Sequence, residues 1–227
     1  MSHELGTPLN AIIGFSELLL VDGEREASKR AEFVRQILDA GRGLQSLIKD
    51  ILDFSSFSNK VPLLRPTWTP IAPLLRSAVR AQSAASESKK VSVNVQPAEL
   101  NFECFVDYDK FRQIISNLLG NAIKFTPAGG TIFISGTMMP EEGATVTLGD
   151  TGIGIASRDL SRVLEPFVQV ENGQQGGRLG AGLGLPIAKQ LTEAHGGQLF
   201  IESVLGQGTT VTVSLPQGSA RRCEESR

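Results

Sequence analysis

The sequence predicts an α+β protein: an N-terminal helical hairpin forming a dimeric four-helix bundle with a second copy, followed by an α/β sandwich. Three observations lead there. Apolar residues recur at steps of three and four through residues 3–57, a three-proline stretch follows, and beyond it strands and helices are grouped without regular alternation.

Leu5, Leu9, Ile12, Ile13, Ser16 and Leu19 form one face of a helix over residues 3 to about 21, and VDGEREASK turns the chain. Val34, Ile37, Gly41, Leu44, Ile48, Ile51 and Ser55 then alternate three- and four-residue steps, a coiled-coil-like seam on a helix over residues 27 to about 57. One hairpin cannot bury Ile12, Leu19, Leu44 and Ile51 with their neighbours on both flanks, so a homodimer is expected. A hairpin packed on its own second domain is the alternative.

SNKVPLLRPTWTP reads as a linker, placing boundaries at 1–60 for the hairpin, 61–70 for the linker and 71–216 for the second domain. Residues 217–227, QGSARRCEESR, read as a flexible tail. Within the second domain the pattern gives a helix over 71–89, strands at 91–96 and near 102–106, and a helix from 109 to about 125. Strands follow at 131–137 and 145–149, then a Gly-rich stretch to 179, a helix from 184 to about 195, and paired strands at 198–203 and 209–215.

With 227 residues, 41% of them hydrophobic, the chain can build two cores. A net charge of −2 supplies no basic field for a phosphate backbone, so nucleic-acid binding is not expected. Cys104 and Cys223 form no paired motif, which fits a reducing, cytoplasmic setting. The run from Ala11 to Val21 is too short to span a bilayer. The sequence is expected to be a piece of a longer protein, with membrane attachment, if any, through a region preceding it.

Three clusters could carry chemistry. In FRQIISNLLGNAIKFT, Asn117, Asn121 and Lys124 share one helix face while Ile114, Leu118 and Ile123 point elsewhere, towards the core. Two asparagines on one face do not favour a helix, which suggests a ligand. In LGDTGIGIA, Asp150 ends a strand, and Gly152 and Gly154 let the backbone approach something flat or phosphorylated. A carboxylate there can accept from an exocyclic amine, although an ordinary tight turn explains the pattern too. In GGRLGAGLGLPIAKQL, Gly180, Gly182 and Gly184 precede a helix whose positive end suits phosphates. Residues 156–179 have the length and composition of a lid.

In this order and spacing, the motifs resemble those of the sensor histidine kinase transmitter core. SHELGTPLNAI resembles the H box, NLLGNAIKFT the N box, DTGIGI and GAGLGL the two glycine boxes, EPFVQV the F box, and GQGTTVTVSLP the closing strand. The resemblance implies a phosphoacceptor hairpin and an ATP-binding domain of the gyrase type, the Bergerat or GHKL fold. It makes His3 the phosphoacceptor and Glu4 its base, with Thr7 joining Glu4 in dephosphorylating a partner response-regulator receiver domain. ATP and Mg2+ are the implied cofactors. Asn121 would ligate the metal, with Asn117 and Lys124 nearby on the phosphates. Asp150 would take the adenine amine, with Gly152 and Gly154 lining the base pocket. Gly180, Gly182 and Gly184 would wrap the phosphates, Phe167 would anchor the lid, and Thr209 would lie by the adenine.

Pro8 removes the helical partner of the Glu4 carbonyl, so a bend is expected just past His3, read either as structural or as a hinge between two signalling arrangements. Gly6 stands where the family commonly has arginine. His195 reads as structural and Trp68 as a packing or linker aromatic. Two other readings stand beside the kinase: a gyrase-type ATPase, and a scaffold that binds nucleotide without phosphotransfer. The first would need a water-activating glutamate where this sequence has Asn117.

Overall fold

The computed structural model describes residues 2–21, 27–59, 63–96, 100–139, 141–169 and 182–223. Helices α1 (Ser2–Val21) and α2 (Ala27–Asn59) pack on each other, with the Phe15 and Phe33 rings 5.5 Å apart. α1 runs through Pro8 as one helix. The hairpin leaves an apolar surface: Leu9, Ile13, Val34, Leu38, Ile48 and Leu52 are 46% to 64% exposed. At its far end α2 meets the second domain, where Leu47, Ile51 and Phe54 pack against the core. The expected seam is therefore split, with Val34 and Ile48 outward and Ile51 against this chain's own second domain.

The second domain is built on a five-stranded sheet of order β2-β4-β5-β7-β6, comprising β2 (Ser92–Val95), β4 (Thr131–Met139), β5 (Gly143–Asp150), β6 (Gln198–Val204) and β7 (Gly208–Leu215). Only the β2–β4 pairing is parallel. Helices α3 (Ile71–Ala81), α5 (Tyr108–Phe125) and α6 (Gly184–Ala194) cover one face, and the other exposes Phe133 and Phe200. Between helices and sheet, Phe111, Ile114, Ile115, Leu119, Ile132, Ile134 and Ile187 are fully buried. Each such side chain stabilises the fold by roughly 1.5–3 kcal/mol. Cys104 also lies in this core, where burial pushes its thiol up to about 12, and both cysteines are free.

The structure departs from the sequence reading in three places. Residues 67–70, read as linker, form β1 (Thr67–Pro70), and residues 220–222, read as tail, form β8 (Ala220–Arg222). Both pair antiparallel with β3 (Phe102–Val106) in a second sheet of order β1-β3-β8. Proline is tolerated at the outer edge of β1. One charge of β8 is matched across the strands: Arg221 contacts Glu103 Oε2 through Nε and Nη2 at 2.8 and 2.7 Å and lies 4.3 Å from the Trp68 ring centre. Trp68 packs in turn against Phe105, the ring centres 5.4 Å apart and the planes tilted by 49°. The third departure is a break at Gln82, which divides residues 71–89 into α3 and α4 (Ser83–Lys89). The Gln82 amide donates to the Ser116 carbonyl at 3.0 Å.

The start of α5 is tied to both its neighbours. The Asp107 carboxylate accepts from the Lys110 and Arg65 amides at 3.1 and 2.9 Å, and the Asp107 amide donates to His195 Nε2 at 3.1 Å. His195 Nδ1 donates to the Leu191 carbonyl at 2.7 Å, so the ring is neutral. Burial lowers the His195 pKa, against the opposite pull of the Leu191 carbonyl and the Asp107 carboxylate.

Protonating Nε2 would set it against an N–H donor. The unfolded imidazole takes its proton at a higher pH than the folded one. This contribution is therefore intact above about pH 6.5 and lost as pH falls through the folded value. Melting temperatures measured from about pH 7.5 to 5 should fall, and His195→Gln, whose Oε1 can accept the same bond, should flatten that slope. An unchanged slope would exclude this role for His195.

Candidate functional site

β5 ends at Asp150, flanked by Ile132 of β4 and Thr209 of β7. Asp150 Oδ1 accepts from the Gly152 amide at 2.7 Å and the Thr209 amide at 3.3 Å. Both bonds fall on Oδ1, so the carboxylate keeps acceptor capacity at Oδ2. Burial raises the Asp150 pKa above its ordinary value, while the Gly152 and Thr209 donors pull it back.

The loop after Asp150 lies directly on the β6–β7 turn. Gly154 sits at φ +67°, and a Cβ there would fall 2.1 Å from the Val204 carbonyl oxygen, so no other residue fits without displacement. The Gly206 amide donates to the Ile153 carbonyl at 2.7 Å, and the Ile155 amide to Ser203 Oγ at 2.8 Å. Ser203 Oγ donates to the Gly208 carbonyl at 2.7 Å and lies 2.9 Å from Thr209 Oγ1.

Opposite this loop, α5 presents Asn117, Asn121 and Lys124 to a cavity of about 440 Å³. Ile114, Leu118 and Ile123 are buried in the core, as their spacing predicts. Asn117 Nδ2 is buried without a hydrogen-bond partner, a donor that calls for an acceptor from a ligand. The Asn121 carboxamide lies by the start of α6, 3.4 Å from where a Gly184 Cβ would stand. Asp150, Gly154 and Thr209 line the other end of the cavity, floored by Leu148, Ile201 and Val211. An apolar slot closed by one carboxylate suits a purine base with an exocyclic amine. Amides, a lysine and a helix start suit its phosphates.

Residues 106–219, half of the chain, match the family described as "Histidine kinase-, DNA gyrase B-, and HSP90-like ATPase". The chain belongs to that family. Residues 1–60 match the His Kinase A (phospho-acceptor) domain, and the two matches together make it a histidine kinase transmitter core. An uncharacterised sensor-like histidine kinase of Rhizobium meliloti is 36% identical over 99% of this chain and 43% of its own length. The histidine protein kinase DivJ of Caulobacter vibrioides is 37% identical over 95% of the chain and 36% of its own length. The chain thus spans less than half of these relatives.

Among solved structures, full-length ShkA in complex with AMPPNP aligns with a TM-score of 0.72 at 28% identity, over 98% of this chain and 45% of that one. ThkA in complex with the response regulator protein TrrA has the same fold, with a TM-score of 0.73 at 20% identity, over 96% of this chain and 60% of that one.

Of the residues singled out in the sequence of this histidine kinase core, Asn117, Asn121, Lys124, Asp150, Gly154, Gly182, Gly184 and Thr209 line one cavity. Gly152 supports Asp150 from behind, since its Cβ would stand 2.5 Å from Asp150 Oδ1. Phe167 lies outside the cavity lining, edge-on to Phe54 of α2 at 5.7 Å, and holds φ +65°, which is rare for a non-glycine residue. Its amide donates to the Gly182 carbonyl at 3.2 Å. His3 and Glu4 lie in the first turn of α1 and Thr7 is exposed on the same helix. The side chains of His3 and Glu4, and the whole of Gly180, lie outside the described residues. Sequence reasoning missed Ser203; its signal is the hairpin register, which sets Ser203 opposite Thr209.

Proposed function

We propose that this histidine kinase core phosphorylates its own His3 from ATP with Mg2+, then passes the phosphoryl group to an aspartate of a response-regulator receiver domain. The reading rests above all on Asn117. A gyrase-type ATPase would need a water-activating base there. An amide cannot take a proton from water, which leaves the imidazole of His3 as the favoured nucleophile. The unprotonated ring nitrogen attacks the γ-phosphorus, the bond from that phosphorus to the bridging oxygen breaks, ADP leaves, and Glu4 takes the proton from the other ring nitrogen. The N–P bond then breaks as the phosphoryl group moves to an aspartate oxygen of the receiver domain, and the proton held by Glu4 returns to the ring, restoring His3.

Mg2+ is a hard cation that suits amide and phosphate oxygens, and the carboxamide oxygen of Asn121 fits that donor set. Among the described residues no group of three His, Cys, Asp or Glu side chains could hold a metal ion alone, so the phosphates would supply the anionic ligands. When bound, Mg2+ neutralises charge that builds on the phosphates. Asn121 and Lys124 orient those phosphates, and Asp150 selects the base.

The exposed apolar residues of the hairpin support a homodimer, since a second copy would cover Leu9, Ile13, Val34 and Leu38. Glu4 and Thr7, one turn apart, are proposed to position water for the reverse reaction on the phosphorylated regulator. Gly6 has no heavy atom within 4 Å of an added Cβ, so its departure from arginine answers to no steric need. We place this core in the cytoplasm. No helix among the described residues is long and apolar enough to cross a membrane.

Incubation with γ-labelled ATP and Mg2+ should give acid-labile, base-stable label on the wild type and none on His3→Ala. Label that withstands acid, or persists in the variant, would sink the phosphohistidine reading.

A further inference from the structure

α5 carries Asn117, Asn121 and Lys124, and Lys124 belongs to its last turn, with Asn121 just before it. The last four carbonyls of a helix have no partner within it. Here each has one. The Ala122 carbonyl accepts from Thr126 Oγ1 at 2.7 Å and from the Thr126 amide at 3.0 Å. The Phe125 carbonyl accepts from the Ile153 amide at 3.2 Å, which fastens the helix to the loop beside Asp150. The two carbonyls between them, of Ile123 and Lys124, both accept from one side chain, Lys89 Nζ of α4, the first at 2.9 Å.

We infer that Lys89 is a positioning residue for nucleotide binding, acting through the backbone of the α5 last turn. It lies more than thirty residues away in sequence from the carbonyls it binds and does not line the cavity. Its ammonium sits at the negative end of α5, where a cation is favoured, and spans two successive carbonyls. One of those carbonyls belongs to Lys124, whose side chain lines the cavity. Remove the ammonium, and two carbonyls in the turn that fastens α5 to the Asp150 loop lose their donor. The turn then relaxes, and the Lys124 backbone and the Phe125–Ile153 contact shift with it. Burial also lowers the Lys89 pKa, as expected of an ammonium withdrawn from water.

The inference rests on the nucleotide reading of this cavity, and the test separates the two. ADP affinity in Mg2+ is measured by calorimetry, well below the melting temperature, for the wild type, Lys89→Met, Lys89→Arg and Arg221→Gln. Lys89→Met keeps the apolar stem and loses the donor. It should bind about fivefold more weakly. Lys89→Arg, whose fork can serve two carbonyls, should stay within about twofold of the wild type.

Arg221→Gln breaks the Glu103 pair in the β1-β3-β8 sheet and controls for lost stability. It should melt earlier and bind ADP as the wild type does. Unchanged ADP affinity in Lys89→Met overturns the inference while leaving the nucleotide reading intact. Equal weakening in Arg221→Gln and Lys89→Met also overturns it, because the effect would then follow stability alone. A wild type that binds no ADP overturns both readings.

Discussion

Replacing Asp150 with asparagine is expected to weaken ATP binding by about a hundredfold or more, with little change in melting temperature. The two effects separate because of how the carboxylate is held. Its internal bonds, from the Gly152 and Thr209 amides, both end on Oδ1. An asparagine can keep its carbonyl oxygen there and satisfy both donors, so the fold loses no partner. Its amide nitrogen then stands where Oδ2 had been, and a donor faces the donor amine of adenine. A buried donor left unpaired costs about 1–3 kcal/mol, and the lost bond adds to that. Burial already raises the Asp150 pKa, so removing the charge does not itself destabilise the domain. The check is a titration with ATP alongside a thermal melt. A loss of less than about fivefold would remove Asp150 from the base-binding role.

Gly208→Ala should destabilise the second domain by about 3 kcal/mol or more, the sum of a strained backbone and an overpacked contact. Gly208 opens β7 at φ +109°, and a Cβ there would fall 1.9 Å from the Asp150 carbonyl oxygen. That oxygen cannot retreat freely, because the next residue is fixed on its other side: the Thr151 amide donates to the Thr131 carbonyl at 3.0 Å. Gly206, two residues away, makes the comparison. It too has positive φ, +82°, yet nothing lies within 4 Å of its would-be Cβ. Gly206→Ala should therefore cost only the backbone preference, about 1 kcal/mol. Urea unfolding of the two variants reads the difference. Equal losses would mean that the close approach of β7 to Asp150 does not matter.

What could be read in the sequence was whatever depends on near neighbours. The steps of four and three from Asn117 to Lys124 fix a helix face whatever surrounds it, and the structure sets that face on the cavity. Asp150, with glycines two and four residues on, marks a strand end followed by a close turn, as observed. The features that were not legible join segments far apart in the chain. Nothing in TWTP or ARR alone announces a strand, because each becomes one only against β3. Lys89 looks like any surface lysine at a helix end until α5 is laid beside it. At the break, Gln82 likewise reaches a carbonyl of α5, 34 residues on.

The second sheet has a mechanical consequence. β1 and β8 flank β3 and run parallel to each other, so the chain arrives beside Val106 and departs beside Phe102, at opposite ends of the same central strand. Tension between the hairpin and any segment that follows Arg222 would thus run along the strand axis. The hydrogen bonds of both pairings lie across that axis and would be loaded together, in shear, where two ends leaving from the same end of the sheet would let them unzip one by one. With Arg221 clamping Glu103 and stacked on Trp68, the three strands form a strain-bearing seam through which a pull on one end of the catalytic domain reaches the other.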